Sequence, residues 1–341
     1  MKVTVIGASG NVGTALLRRL RAESAVSELV GVSRRLPDQR KAPYDAVEWI
    51  SADIGDPAAA DALGKACAGA NAVVHLAGLI QPSHDEDVMR RVNVDGTRRV
   101  VDAAVRAGVG HVLHASSVGT YGAAPKDRRV DEDWPTTGVR SSAYSRHKVL
   151  AERQLDAVQQ RHPELTVTRL RPGLIFQREA ASEVARYFLG PFAPVRLLRR
   201  VRPPLLPFLA GVRVQAVHAD DVADAYWQAL QRRVGGAFNI AAEPPLSGAE
   251  IASVLGSRHI GVPVPAVRAL VAGSWRLRLQ PTAPGWVDLA ASAPLMDVTR
   301  ARVVLGWQAR TSGQAALSQL VEGLAVRAGA ASPPLAPRRL R

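Results

Sequence analysis

A chain of 341 residues, 47% apolar and 22% charged, has the makeup of a globular protein with one large core or two lobes. The formal charge of +14 invites a nucleic-acid reading, but the arginines are scattered in small pairs such as Arg34-Arg35 and Arg199-Arg200, and aromatics make up only 5%. Nucleic acid is therefore not expected as a partner. No run of about 18 apolar residues occurs, so no membrane span and no membrane partner are expected. The lone cysteine, Cys67, excludes an intrachain disulfide and suits a cytoplasmic location.

In chain order, Lys2 to Ile6 reads as a strand and Val12 to Ala22 as a helix. Glu28 to Ser33 and Val47 to Ala52 are the next strands, and Asp56-Pro57 opens a helix to Ala68. Ala72 to Leu76 is the fourth strand, Asp85 to Ala107 a long helix, and Gly110 to Ala115 the fifth strand. Ser142 to Arg161 is a helix and Leu165 to Leu170 a sixth strand. Strands separated by helices of this length predict an α/β fold, a Rossmann-type doubly wound parallel sheet with helices on both faces. Residues 172–213 show no clean period, Val214 to His218 reads as a strand, Asp220 to Gln231 as a helix and Ala237 to Ala241 as a last strand. The expected division is a dinucleotide-binding domain of residues 1–171 plus 214–241 and a smaller, mostly helical C-terminal substrate lobe of 172–213 plus 242–328. A disordered tail, 329–341, is expected to follow.

Gly7-Ala8-Ser9-Gly10-Asn11-Val12-Gly13 lies between the first strand and the first helix. Glycines there let the backbone turn sharply and approach a pyrophosphate, while the helix N-terminus offers free N–H donors and a positive dipole end. The second strand ends Ser33-Arg34-Arg35, with no acid until Asp38. A carboxylate at that point would bind the free 2′-hydroxyl of NAD, whereas Arg34 and Arg35 suit a 2′-phosphate. NADP is expected as the cofactor, with NAD as the alternative.

Tyr144 and Lys148 are four residues apart on a helical stretch, which stacks them on one face. An ammonium beside a phenol is expected to lower the phenol's pKa, so that it can exchange a proton near neutral pH. The chain has five lysines among its 44 basic residues, and none follows Lys148.

Taken together, the glycine turn, the early strand order and the Tyr-Lys pair resemble the extended short-chain dehydrogenase/reductase family, the NAD(P)-dependent epimerase/dehydratase group. The likeness runs over roughly residues 1–310 and includes Ala52-Asp53-Ile54, His75-Leu76-Ala77-Gly78, Val92-Asn93-Val94-Asp95-Gly96-Thr97 and Arg171-Pro172-Gly173. It implies cofactor contacts from Gly7, Gly10, Asn11, Val12, Gly13, Arg34, Arg35, Asp53, Ile54, Leu76, Ala77, Gly78, Asn93 and Pro172 as well as Tyr144 and Lys148. In Ala115-Ser116-Ser117-Val118-Gly119-Thr120-Tyr121-Gly122 it makes Ser117 the catalytic hydroxyl and leaves Ser116 structural. Tyr144 would then exchange the proton, and Lys148 would hold the cofactor ribose. The resemblance also implies a homodimer paired through the helices at about 85–107 and 142–161.

The absence of an acid after Ser117 argues against a dehydratase, and Arg171-Pro172-Gly173 leans toward a reductase or dehydrogenase of a ketone or secondary alcohol. A nucleotide-sugar epimerase and a non-catalytic NAD(P)-binding regulator remain the alternatives. Arg178, Arg186, Arg196, Arg199, Arg200 and Arg202 either bind a substrate diphosphate or form a solvated face. His75 and His218 are expected to serve packing, and His147 to face solvent. His84 to Asp87 is expected to start a helix rather than hold a metal. Trp275, Trp286 and Trp307 are expected in the core.

Overall fold

The computed structural model describes residues 1–189 and 203–337. Seven parallel strands form its central sheet: β1 (Lys2–Ile6), β2 (Glu28–Ser33), β3 (Glu48–Ser51), β4 (Ala72–His75), β5 (His111–Ala115), β6 (Thr166–Pro172) and β7 (Gly236–Ile240). Their order is β7-β6-β5-β4-β1-β2-β3. The direction of winding reverses between β1 and β4, and a crevice opens there beyond the carboxyl ends of the strands.

Alternation along each strand feeds two cores. Val3, Val5, Val74 and Leu113 point to one face, with Leu16, Leu17 and Leu20 of α1 (Asn11–Arg21). Ile6, Val73 and Val112 point to the other, with Leu63 of α2 (Ala60–Cys67) and Leu155 further along the chain. Cys67 lies in this second core, where burial pushes its thiol up to about 11 and leaves it inert.

The long helix expected from Asp85 is interrupted. α3 (Glu86–Arg90) and α4 (Thr97–Arg106) are joined by a π-helical stretch, Arg91–Gly96. The extra residue per turn swings Asn93 inward, where its side chain accepts from Leu79 N (2.7 Å) and donates to Leu79 O (2.9 Å). α5 (Ala143–Arg161) carries Tyr144 and Lys148 and is capped by Ser142, which accepts from Ser145 N.

Three expectations fail here for reasons of packing. The stretch 214–218 is split into Arg213–Val214 and Ala216–His218, and the latter pairs with Leu174–Phe176 outside the central sheet. His147 is buried rather than solvated, because α5 lays that face against α3 and the π stretch. Residues 329–337 are packed, not disordered: Leu335 is fully buried, Ser332 Oγ donates to Ser9 O, and Arg186 donates to the carbonyls of Pro334 and Ala336.

The C-terminal region adds α6 (Ala219–Arg232), α7 (Gly248–Leu255), α8 (Val264–Arg276), α9 (Gly285–Ser292), α10 (Thr299–Leu305) and α11 (Gly313–Val326). α6 returns to α1 on the sheet. Its Asp221 accepts from Arg310 N and Thr311 N, which ties the later chain to the sheet. Among the described residues no helix is long and apolar enough to cross a membrane.

Candidate active site

The glycine turn is set by contact. A Cβ at Gly7 would lie 2.6 Å from Ala77 N, and one at Gly13 only 2.4 Å from Gly7 O. Gly7 also needs a positive φ of 88°. The turn therefore presses against the end of β4 and against α1. No side chain caps α1 at Gly10, and its first turn holds no acid. The first N–H groups of α1 are left to a ligand, and a dinucleotide's pyrophosphate fits that donor set.

These backbone donors open into a cavity of about 560 Å³. Gly7, Gly10, Asn11, Val12, Gly13, Leu76, Gly78, Ser117, Tyr144, Lys148 and Pro172 all line it. Arg34, Arg35, Asp53, Ile54, Ala77 and Asn93 do not. Arg34 reaches Asp53 at 3.6 Å, beyond the end of β2, and Ile54 is buried in the second core. Asn93 acts on the cavity at one remove, through the loop containing Gly78 and Leu79.

At the cavity's centre, the Ser117 hydroxyl is hydrogen-bonded to the Tyr144 phenol and also accepts from Gly119 N at 3.0 Å. Lys148 Nζ lies 5.9 Å from the centroid of the Tyr144 ring and donates to Ala115 O at 2.6 Å. Burial brings the lysine down to about 8. The tyrosine departs from expectation. Enclosure pushes its pKa up, and the Ser117 hydrogen bond only partly opposes this. Lys148 spends a donor on Ala115 O instead of on the phenolic oxygen, so it does not lower the phenol in this state.

Beneath the site runs a buried polar network. Ser116 Oγ donates to Glu152, and Glu152 pairs with Arg171 at 2.6 Å, both side chains 6% exposed. Arg171 donates to Tyr121 OH (3.0 Å), which donates to Asn239 Oδ1 (2.6 Å). This network fixes β5, α5, β6 and β7 relative to one another. His75 bonds Thr97 at 3.0 Å and is held neutral by burial, which brings it down to about 3. His218 caps α6 and bonds Gln319 at 3.1 Å. Asp85 caps α3, and among the described residues no cluster of metal-binding groups occurs.

Further lining comes from the C-terminal region, where a substrate lobe was expected, but the sequence did not single out the residues that line it. Trp286 of α9 stacks on Tyr144 with ring centroids 5.4 Å apart, so it lines the cavity instead of the core. Trp275 stacks on His84 at 5.3 Å, also away from the core, whereas Trp307 is 1% exposed and lies within it. Leu289 and Met296 from this region, with Ile80 and Val118 from the loops after β4 and β5, make the lining mostly apolar. Lys126 enters it with Nζ on the carbonyls of Arg213, Ala290 and Ala293, and burial brings it down to about 8. Glu183, pushed up to about 7 by burial, lines the cavity beside Tyr187. Of the candidate anion-binding arginines, Arg186 is engaged with the tail, and Arg196, Arg199, Arg200 and Arg202 lie outside the described residues.

Comparison with known proteins agrees with this architecture. The family model described as "NAD dependent epimerase/dehydratase family" matches residues 3–241. An uncharacterized protein of Mycobacterium tuberculosis is 30% identical over 329 residues; the match covers 96% of this chain but spans only 30% of the relative's length. A UDP-glucose 4-epimerase of Mycolicibacterium smegmatis is 28% identical over 333 residues, covering 94% of this chain and 98% of that one. The structure of MoeE5 in complex with UDP-glucuronic acid and NAD superposes with a TM-score of 0.70 at 25% identity, covering 95% and 98% of the two chains. The parallel sheet, the uncapped glycine turn and the matched 3–241 stretch lead to one assignment: this chain belongs to the NAD-dependent epimerase/dehydratase family of extended short-chain dehydrogenases/reductases, a family of NAD(P)-dependent enzymes.

Proposed function

We propose that the protein is an oxidoreductase of the Ser-Tyr-Lys type, acting between a ketone and a secondary alcohol on a small molecule with an apolar body. The observation that carries this reading is the meeting of Ser117, Tyr144 and Lys148 with the glycine turn in a single cavity whose lining is mostly apolar. A nucleotide sugar needs polar partners for its hydroxyls, and buried hydroxyls left without them are costly. A wall of Ile80, Val118, Trp286, Leu289 and Met296 suits a hydrocarbon frame better.

A bound nicotinamide would supply or take up hydride at the substrate carbon. Gly7, Gly10 and the first N–H groups of α1 would hold its pyrophosphate, and Pro172 and Gly78 would flank its inner end. Ser117 hydrogen-bonds the substrate oxygen and keeps it beside Tyr144. Tyr144 delivers its phenolic proton to that oxygen in reduction and removes it in oxidation. Its raised pKa in the present state keeps it protonated, as reduction requires. Lys148, buried and cationic below about pH 8, stabilises the phenolate once the proton has left. Trp286 holds the phenol ring from the side facing the substrate. Arg34 and Arg35, which directly follow Ser33 at the end of β2, support NADP as the preferred cofactor, with Asp53 lying 3.6 Å from Arg34 as its counter-ion.

A second reading, nucleotide-sugar epimerisation with retained NAD, is favoured by the end-to-end likeness to the M. smegmatis epimerase and by Arg213 in the cavity wall. One experiment separates the two. Purified protein is mixed with NADPH or NADH and a panel of apolar ketones, while parallel samples with NAD receive UDP-sugars. The proposal expects net NADPH oxidation with a ketone and weaker turnover with NADH. Interconversion of UDP-sugars without net change in cofactor absorbance would replace it with the epimerase reading.

A further inference from the structure

α8 (Val264–Arg276) carries apolar residues on its outward face as well as on its inner one. Ala266, Leu270, Gly273 and Leu277 recur at helical spacing as one stripe, and all four are exposed. Leu270 is 74% exposed, Leu277 72% and the adjoining Leu279 74%. The other side of the helix carries Val267, Val271 and Trp275, each partly shielded. No residue of α8 is fully buried. Single exposed leucines are ordinary, but Leu270 and Leu277 on one outward stripe, with Leu279 just beyond the helix end, mark a docking face.

The charge around this face selects its partner. Between Glu250 and Asp288 the sequence has no acidic residue and four arginines: Arg258, Arg268, Arg276 and Arg278. Arg268 is used internally, donating to Asp288 at 2.7 Å. Arg276 and Arg278 are exposed and flank Leu277, and Leu279 follows Arg278. Alternating leucine and arginine at a helix end is the pattern of a segment lying in a lipid interface, with leucines in the acyl boundary and guanidinium groups at the headgroups. A second copy of this chain is a poor occupant. A two-fold contact through this face would gather both copies' Arg276 and Arg278 into one patch, with no acidic residue between Glu250 and Asp288 in sequence to offset them.

The face also adjoins the cleft. Trp275 stacks on His84, in the loop that carries Gly78 and Ile80, and Arg268 grips α9, which carries Trp286 and Leu289. Ile80 lines the cavity and is itself 42% exposed. We infer that residues 264–279 dock the protein on an anionic lipid surface, with the mouth of the cleft beside the bilayer. Exclusion of a membrane partner followed from the lack of a spanning segment, and interfacial docking requires none.

Docking is read without turnover, so its failure is independent of the catalytic reading. The full chain is mixed with vesicles of phosphatidylcholine alone or of equimolar phosphatidylcholine and phosphatidylglycerol, and flotation measures the bound fraction. The expected result is binding to the anionic vesicles at least about tenfold tighter than to the neutral ones, weakening as salt rises. Leu270→Ser/Leu277→Ser/Leu279→Ser should lose about tenfold or more in binding while retaining the wild-type circular dichroism spectrum, and Arg276→Gln/Arg278→Gln should lose the preference for anionic lipid. Wild-type protein that stays unbound overturns the inference, as does binding that the leucine variant leaves unchanged. A self-associated wild type that becomes monomeric in the leucine variant, without vesicle binding, would assign the face to a second copy instead.

Discussion

The two walls of the cleft are built on different principles. The sheet-side wall is held by backbone contact: Gly7 and Gly13 have no room for a methyl group, and Asn93 clamps Leu79 through both ends of its amide. The C-terminal wall is held by side chains, Trp286 against Tyr144 and Lys126 on three carbonyls. The first wall suits a cofactor of fixed shape. The second can change its outline without disturbing the sheet, and it is where substrate choice would be set. Perturbing the sheet side should therefore cost stability, and perturbing the other wall should cost substrate affinity.

The largest expected effect is acid loss of the sheet half. His75 and His111 are neutral in the fold, brought down to about 3 and about 4 by burial from an ordinary 6.5. Below about pH 6.5 the unfolded chain therefore binds more protons than the folded one, so stability falls with falling pH and is restored as pH rises again. The loss should be on the order of 5 kcal/mol by pH 4, measured by denaturant titration at several pH values. A flat stability between pH 6.5 and 4 would mean that these histidines are hydrated in the fold.

Next comes the buried pair beneath the site. Glu152→Gln leaves Arg171 charged and unpaired, and should cost about 3–5 kcal/mol in thermal or chemical denaturation. Replacing both partners, as Glu152→Leu/Arg171→Met, should recover part of that loss. Additive losses in the double variant would show that the two groups act separately.

The smallest effect tests the other wall. Trp286→Ala should raise KM for an apolar ketone about tenfold, with little change in melting temperature. An unchanged KM with a collapsed melting temperature would reverse the contrast between the walls.

The same contrast explains what was legible in the sequence. The glycine turn, the alternating strands and the Tyr144–Lys148 spacing follow from local periodicity, and each is where the one-dimensional pattern puts it. Sequence spacing did not disclose the fate of the Lys148 ammonium, because Ala115 O reaches it from another strand. His147 is hidden by the π stretch, whose extra residue leaves no mark on the apolar period. Trp286 reads like any core tryptophan until α9 is placed against Tyr144, 142 positions earlier in the chain (286 − 144). The packed segment 329–337 is rich in proline and small residues, and only Leu335 betrays that it is held.

The most direct test of the account is Tyr144→Phe, which removes one oxygen and leaves the stacked ring on Trp286. With NADPH and the best ketone, the rate should fall by about 10²–10⁴ while NADPH affinity by fluorescence titration stays near wild type. Equal rates of ketone-dependent NADPH oxidation in the two proteins would contradict the assignment of the phenol as the proton donor.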